Sequence, residues 1–139
     1  MTAFETTHRF RTDGDGTIVD ITGAAKSAVA ESGVTTGQLV VMVPGSTAAI
    51  TTIEYEPGLL EDLPAFFERI APSRSRYAHD DTWGDGNGFS HVRAALVGPS
   101  LCVPVSGGEP VLGTWQQIVF LEFDNRPRDR RVHLSVIGE

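Results

Sequence analysis

Apolar residues recur at helical spacing in three parts of the chain. From Pro57 onward, leucine, phenylalanine and isoleucine return at intervals of three and four residues until Pro72, which predicts a helix between the two prolines. Thr22 as a cap and Gly33 as a terminator enclose an alanine-rich stripe that predicts a second helix. Residues 89–97 show the same spacing. The pattern therefore predicts about three helices.

Shorter apolar runs are typical of strands. Residues 6–12 and 17–21 flank the turn sequence DGDG at 13–16, so they predict a hairpin. Further runs rich in β-branched residues lie at 38–43, 48–53, 100–105, 111–112, 114–123 and 132–137. Because strands outnumber helices and are separated by turns, we expect an α+β fold with a mixed, largely antiparallel sheet. We expect it to form a single compact domain spanning residues 1–139.

Composition narrows the class of protein. A chain of 139 residues with 40% hydrophobic content is long enough to bury a core, and a net charge of −7 argues against a broad nucleic-acid-binding surface. The first residues lack the apolar centre of a signal peptide, and no apolar run reaches membrane-spanning length, so we expect a cytoplasmic protein with no membrane partner. Cys102 lies in the apolar run 101–105, which predicts a buried thiol.

The segment from residue 79 to residue 91 concentrates the polar chemistry of the chain. It holds two imidazoles, three carboxylates and an amide among glycines, and we expect His79 in a loop and His91 in the first turn of the following helix. Two imidazoles converging with a carboxylate suit a divalent metal such as zinc, and equally suit proton transfer or phosphate binding. Ordinary hydrogen bonds across a loop are the alternative, since the spacing matches no standard metal motif.

Several short segments together carry a family resemblance. They are STAAI at 46–50, Glu54, YAHD at 77–80, GNG at 86–88 ahead of His91, and LGTWQQI at 112–118. Their order and intervals closely resemble the YjbQ (UPF0047) family over nearly the whole chain. The resemblance implies a compact α+β subunit, a homotrimer, and a secondary activity as a thiamine-phosphate synthase. That reaction joins hydroxymethylpyrimidine diphosphate to thiazole phosphate and releases pyrophosphate.

One position departs from the family pattern. Relatives commonly carry His-Thr-Thr-Ala after the central strand, whereas this chain has Gly45 followed by Ser46 and Thr47. A metal site would then keep two histidines and be completed by Glu54, Asp80, Asn87 or water. A glycine followed by two hydroxyls can also present backbone N–H groups to an anion. An ordinary turn after Pro44 explains the glycine equally well.

Other candidates come from the second half of the chain. Trp115 would stack on a pyrimidine ring while Gln116 reads its edge, or the pair is a core tryptophan beside an edge glutamine. Arg130 best matches the arginine that precedes the last strand of the family. It belongs to a cluster with Arg126, Arg128 and Arg131 that would hold phosphate at a subunit boundary or form a solvated turn. Arg93 is expected at the surface.

The resemblance and the residues together define three hypotheses. In the first, the chain is a synthase-type transferase with a divalent metal, Mg or Zn, and a phosphorylated small-molecule ligand. In the second, the same residues form a non-catalytic trimeric binding module. The third is metal-assisted hydrolysis with Glu54 or Asp80 as the base. The predicted site residues are His79, His91 and Glu54 for catalysis, Ser46, Thr47, Asn87, Trp115, Gln116 and Arg130 for substrate or phosphate, and His79, His91 and Asp80 for metal.

Overall fold

Eight strands and four helices follow one another in the computed structural model, which describes residues 1–139. The strands are β1 (Thr2–Thr12), β2 (Ile18–Asp20), β3 (Thr36–Met42), β4 (Ala48–Glu54), β5 (Ser100–Ser106), β6 (Glu109–Pro110), β7 (Gln116–Glu122) and β8 (Arg128–Gly138). The helices are α1 (Thr22–Ser32), α2 (Pro57–Ile70), α3 (Ala78–Trp83) and α4 (Gly88–Val97). No helix is both long enough and apolar enough to cross a membrane.

The strands form two sheets in which every pairing is antiparallel. One sheet has five strands in the order β1-β8-β3-β5-β6, and the other has three in the order β2-β7-β4. The inner face of the larger sheet, with Leu39 and Val41, packs on Ile118 and Phe120 of β7, and α1 contributes Ala25 to the same core. The α+β class is therefore confirmed, although the strands divide between two sheets.

Strand β7 is buried on both faces, which places it at the centre of the molecule. Val119 and Leu121 point away from the large sheet and pack on Phe67 of α2 and Ala94 of α4. This explains why residues 118–121 form a continuous apolar run without alternation. The layers are thus the large sheet, the small sheet, and then helices α2 and α4.

The predicted hairpin between the first two strands is wrong. β1 pairs along its whole length with β8, whereas β2 pairs with β7, so the turn at residues 13–16 joins strands of different sheets. Alternation shows that a segment is a strand but does not identify its partner. Gly14 and Gly16 have φ values of +100° and +90°, which glycine adopts more readily than other residues.

Other differences concern boundaries. Helix α3 was not expected, because none of its six residues is buried and it has no apolar stripe. Thr22 does not cap α1: it is the first helical residue, and its hydroxyl accepts a hydrogen bond from Ile118 N at 2.9 Å. The strand predicted at 111–112 is instead the two-residue β6 just before it. Cys102 is exposed, because it faces outward from β5.

Arg93 is also buried, contrary to the expected surface position. Its side chain is 2% exposed, and its guanidinium lies 4.8 Å from the centroid of the Phe89 ring. It donates hydrogen bonds to Ala71 O at 3.0 Å, to Asp15 at 3.1 Å and to Glu68 at 2.8 Å. The side of α4 that carries Arg93 therefore faces protein and ties α4 to the end of α2 and to the loop after β1.

The two carboxylates beside Arg93 respond differently to their surroundings. Burial raises the pKa of Asp15, against the opposing effect of Arg93. The backbone N–H of Ser73 is the main cause that lowers the pKa of Glu68, and Arg93 adds to it. The folded structure therefore favours the ionised form of Glu68 and disfavours the ionised form of Asp15.

We expect Arg93→Met to lower the free energy of unfolding by about 2 to 4 kcal/mol, since it leaves two carboxylates and a carbonyl without their donor while preserving most of the volume. Urea denaturation monitored by circular dichroism measures the change. Arg74→Met is the matched control, because Arg74 is exposed and makes no side-chain hydrogen bond. Equal stability of the two variants would contradict the structural role of Arg93.

Candidate functional site

The candidate site lies where α3 turns into α4. His79 is in α3 and not in a loop, which corrects the expectation, whereas His91 lies in the first turn of α4 as expected. Gly84 ends α3 with a left-handed φ of 70°. The short connection folds the helices together, so the two imidazole ring centroids lie 4.3 Å apart.

Close packing between residues 77 and 88 fixes the junction between α3 and α4. A Cβ at position 88 would lie 2.4 Å from Tyr77 Cβ, which explains the need for Gly88. The Tyr77 hydroxyl donates to Pro72 O at 2.8 Å, and burial raises the pKa of this phenol, so it stays neutral. The start of each helix is thereby held against the other.

Two carboxylates join the imidazoles. His79 Nδ1 lies 3.7 Å from Asp80 Oδ1 and 3.8 Å from Asp85 Oδ1. One ligand atom from each of these three residues lies within 4.8 Å of the other two. His79 Nδ1 is itself buried and has no hydrogen-bond partner. We refer to His79, Asp80, Asp85 and His91 as the imidazole–carboxylate cluster.

Neighbouring polar groups orient the two carboxylates. The backbone N–H of Gly88 donates to Asp80 Oδ1 at 2.9 Å. With its amide nitrogen turned toward Asp85, buried Asn87 donates to Asp85 Oδ1 at 2.9 Å and to Oδ2 at 3.2 Å. We favour this orientation because the opposite one gives a single bond, to Asp124, at 3.4 Å. Asn87 thus lies beside the cluster as a positioning group.

A buried ion pair between Arg130 and Glu122 lies near the cluster. Arg130 donates to Glu122 through Nε at 2.7 Å and through Nη2 at 2.5 Å, a two-point contact between residues of different sheets. The Thr12 hydroxyl also donates to Glu122, at 2.6 Å. Arg130, predicted to bind phosphate, therefore uses two of its three nitrogens inside the protein.

Thr47 and Asp124 connect this ion pair to the cluster. Arg130 Nη2 donates to Thr47 Oγ1 at 2.9 Å, and the Thr47 hydroxyl donates to Asp124 Oδ2 at 3.2 Å. Asp124 in turn lies next to Asn87. Thr47 is buried in this chain of hydrogen bonds, whereas Ser46 is exposed in the turn ahead of β4.

The remaining predicted residues lie at the far end of the small sheet. Glu54 is exposed and is the register partner of Gln116, whereas Ala48 at the other end of β4 pairs with Glu122. Six residues of strand, at about 3.4 Å each, separate these two ends by about 20 Å. No hydrogen bond or ion pair joins Glu54 to either imidazole.

Trp115 is 73% exposed, so the alternative of a core tryptophan is wrong. Gln116 Oε1 accepts from Gly113 N at 3.0 Å, and its Nε2 donates to Thr52 Oγ1 at 3.0 Å. The side chain of Gln116 is therefore already held by its own sheet, whereas the indole of Trp115 is available to a ligand or to another subunit.

Sequence reasoning missed Asp85 as a cluster member, and it missed Glu122 and Asp124 altogether. Asp85 is part of the polar segment, but three nearby aspartates gave no basis for choosing it. Glu122 and Asp124 follow the apolar run of β7. A carboxylate directly after a fully buried strand is the signal that was available, because such a group needs a partner.

Comparison with known proteins decides the family. A family model described as UPF0047 protein YjbQ-like matches residues 6–139. The chain belongs to this YjbQ-like family. It is 44% identical over 120 residues to a UPF0047 protein of Archaeoglobus fulgidus, covering 86% of this chain and 90% of that protein. Solved YjbQ-like structures give the same result.

The chain is similar to a YbjQ-like protein of unknown function from Sulfolobus solfataricus, with 28% identity, a TM-score of 0.87 and 99% of each chain covered. It is also similar to an uncharacterised YjbQ/UPF0047 protein from Clostridium acetobutylicum. That protein gives 37% identity and a TM-score of 0.87, over 95% of this chain and 99% of the other. The YjbQ-like fold is therefore shared along almost its whole length.

Proposed function

We propose that this YjbQ-like protein binds a divalent metal ion at the imidazole–carboxylate cluster and, with it, a phosphorylated small molecule. The observation that carries the proposal is His79 Nδ1, a buried nitrogen without a hydrogen-bond partner that lies between two carboxylates. An imidazole nitrogen with carboxylate oxygens is a ligand set for zinc, and the oxygens also suit magnesium. His91 would be a further ligand or a group facing the bound molecule.

The distances support a common ion. Two ligand atoms bonded to one ion at about 2.0 to 2.2 Å lie at most about 4.4 Å apart. Both separations from His79 Nδ1, 3.7 and 3.8 Å, fall within this limit, whereas the three ligand atoms together lie within 4.8 Å of one another, so the carboxylates would have to move closer to bind one ion. The Asp85 side chain is 52% exposed, so it has room to rotate inward. The Gly88 N–H and Asn87 would orient the carboxylate ligands, as outer groups commonly do around bound metals.

The reaction proposed on the family resemblance is the coupling that forms thiamine phosphate. The thiazole nitrogen attacks the methylene carbon of hydroxymethylpyrimidine diphosphate, a C–N bond forms, and the C–O bond breaks as pyrophosphate leaves with the electron pair. The protein must hold the two reactants together and neutralise the departing charge, and it needs no strong nucleophile. The cluster would hold the ion that binds pyrophosphate.

The pyrimidine ring of the diphosphate reactant needs a stacking surface as well. The exposed face of Trp115 offers stacking for a pyrimidine, with Gln116 and Glu54 beside it. These residues lie about 20 Å along the small sheet from the end that contacts the cluster. We therefore propose that the coupling site includes residues from two subunits. A non-catalytic binding module is the alternative, favoured by Gly45 in place of the family histidine.

Assembly of subunits is proposed from the resemblance and supported by one face of the large sheet. Val40, Met42 and Ile137 are exposed there by 40%, 42% and 49%. Val40 faces Cys102 and Ser135 in register, so these side chains share the outer surface. We propose that other copies of the chain cover this face in a homotrimer, because a contiguous apolar surface marks an interaction site.

For the metal site, we expect calorimetric titration of metal-stripped protein with Zn²⁺ to give one ion per subunit. His79→Gln should weaken binding at least about tenfold, since it removes the central ligand. His133→Gln is the matched control, because His133 is on β8 beside Glu5 and outside the cluster. Wild-type protein that binds no ion, or equal binding by the two variants, would refute the proposal.

For the reaction, we expect His91→Ala to abolish coupling of the two phosphorylated precursors while the fold remains intact. Turnover should be measured with and without added divalent metal. Trp115→Ala should weaken substrate binding, and because Trp115 is exposed, the loss of about 3 to 5 kcal/mol typical of a buried aromatic is not expected. Unchanged turnover in His91→Ala would remove its catalytic role. No turnover in the wild type would favour the binding module.

For assembly, we expect light scattering to give three times the 14.9 kDa subunit mass. Val40→Glu should shift the protein toward the subunit mass, because a charge on the covered apolar face would have to be desolvated. Ile70→Glu serves as control at an exposed apolar position on α2. A subunit mass for the wild type across a wide concentration range would reject the trimer.

A further inference from the structure

Trp83 is an exposed aromatic residue next to the imidazole–carboxylate cluster. It is the last residue of α3 and is 74% exposed. No aromatic ring packs on its indole, and no guanidinium lies over it. Tryptophan is highly buried on average in folded proteins. An open indole at the edge of a candidate site is therefore an unused binding surface.

Helix α3 places Trp83 on the same face as His79. The two residues are four positions apart, and side chains at this spacing are neighbours, with about 5 to 6 Å between Cβ atoms. The backbone N–H of Gly84 donates to Asp80 O at 2.8 Å, so the helical turn is complete through Trp83. Helical side chains lean toward the N-terminus, which directs the indole over the turn that carries His79. A ligand bound at the cluster would therefore meet the indole.

No neighbouring cation competes for the face of this indole. The only arginine or lysine in residues 75–92 is Arg76, and it forms an ion pair with Asp81. The π electrons give an aromatic face partial negative charge, and the indole attracts cations more strongly than the other aromatic side chains do. The open indole therefore suits a flat ring that carries positive charge.

The proposed reaction leaves one ring without a binding surface. The metal ion would hold the diphosphate, and Trp115 of a second subunit would stack on the pyrimidine. The thiazole nitrogen must reach the methylene carbon that bears the departing pyrophosphate, so the thiazole ring has to lie close to the metal ion. Among the exposed large apolar side chains, Trp83 alone lies between residues 77 and 91.

We propose that Trp83 binds the thiazole ring of the second reactant and stabilises the positive charge that this ring gains. The nitrogen lone pair forms the C–N bond while the C–O bond breaks and its electron pair leaves on pyrophosphate. The ring nitrogen thereby becomes positively charged, and the attraction to the indole strengthens. An interaction that strengthens as the reaction proceeds raises the rate as well as the affinity. The inference rests on the proposed function for the reaction, but ring binding is measured separately.

Fluorescence tests ring binding directly, because the chain has two tryptophans. In Trp115→Phe, Trp83 is the sole indole, and its emission is followed with Zn²⁺ present and again without it. Thiazole phosphate should quench this emission, whereas inorganic phosphate, which has no ring, should not. The N-methylated thiazolium phosphate should bind about fivefold more tightly than the neutral ring, because the two probes differ chiefly in charge.

Two results of this titration would overturn the inference. One is an emission that neither ring changes at millimolar concentration. The other is equal quenching by inorganic phosphate, which would show that the indole responds to the anion and not to a stacked ring.

Kinetics test the role of the indole in the reaction. Trp83→Leu should lower kcat about fivefold and raise KM for thiazole phosphate, while KM for the pyrimidine diphosphate stays within about twofold. Trp83→Phe should keep most of the activity, because it retains a flat aromatic face. Trp115→Leu is the matched control and should raise KM for the pyrimidine diphosphate instead. Wild-type kinetics in Trp83→Leu, or equal losses in the leucine and phenylalanine variants, would refute the role of Trp83.

The remaining outcomes separate this inference from the proposed function. Coupling that Trp83→Leu leaves unchanged would keep the reaction and overturn the role of the indole. No coupling in the wild type would remove the reaction, and the fluorescence titration would then decide alone whether Trp83 binds a cationic heterocycle. A lower mass of Trp83→Leu in light scattering would make the indole a contact between subunits and overturn the inference.

Discussion

The ion pair between Arg130 and Glu122 is the contact on which the rest of the structure depends. Glu122 ends a strand of the small sheet and Arg130 lies in the large one, so the pair joins the sheets at one end of their shared core. Both side chains are at least nine-tenths buried. Because a buried charge that loses its partner is strongly destabilising, any sliding of one sheet over the other would be opposed at this point.

The same pair organises the polar groups around it. Thr12 and the backbone N–H of Asp124 complete the contacts of Glu122, and Thr47 connects Arg130 to Asp124. Buried polar networks of this kind are stabilising when every member is satisfied. The buried network therefore extends from the ion pair to Asp124, which lies next to Asn87 at the edge of the candidate site.

Regular elements were largely predictable from the sequence because their periodicity is strong. Helix α2 between its two prolines, α1 before Gly33 and the long buried run of β7 all follow from spacing. Strand partners were not predictable, because alternation carries no information on pairing, and β1 proved to pair with β8. Helix α3 escaped detection because local charges at its start, not a buried face, accompany it.

The candidate site was also predictable only in part. The density of imidazoles and carboxylates marked residues 79–91, and the structure places His79 beside His91. The buried position of Arg93 could not be inferred from helical spacing, since its partners Asp15 and Glu68 come from distant parts of the chain. Glu54 shares the family pattern with the histidines, yet the register of β4 with β7 places it at the opposite end of the sheet.

The pairing of the first strand with the last has a consequence for the order of folding. β1 and β8 are in register from Thr2 to Gly138, so the large sheet is completed only by contacts between residues more than a hundred positions apart. The small sheet with α2 and α4 is complete in sequence by Glu122. During synthesis the helical layer can therefore form early, while β1 remains an unpaired edge and Glu122 an unpaired charge until β8 arrives.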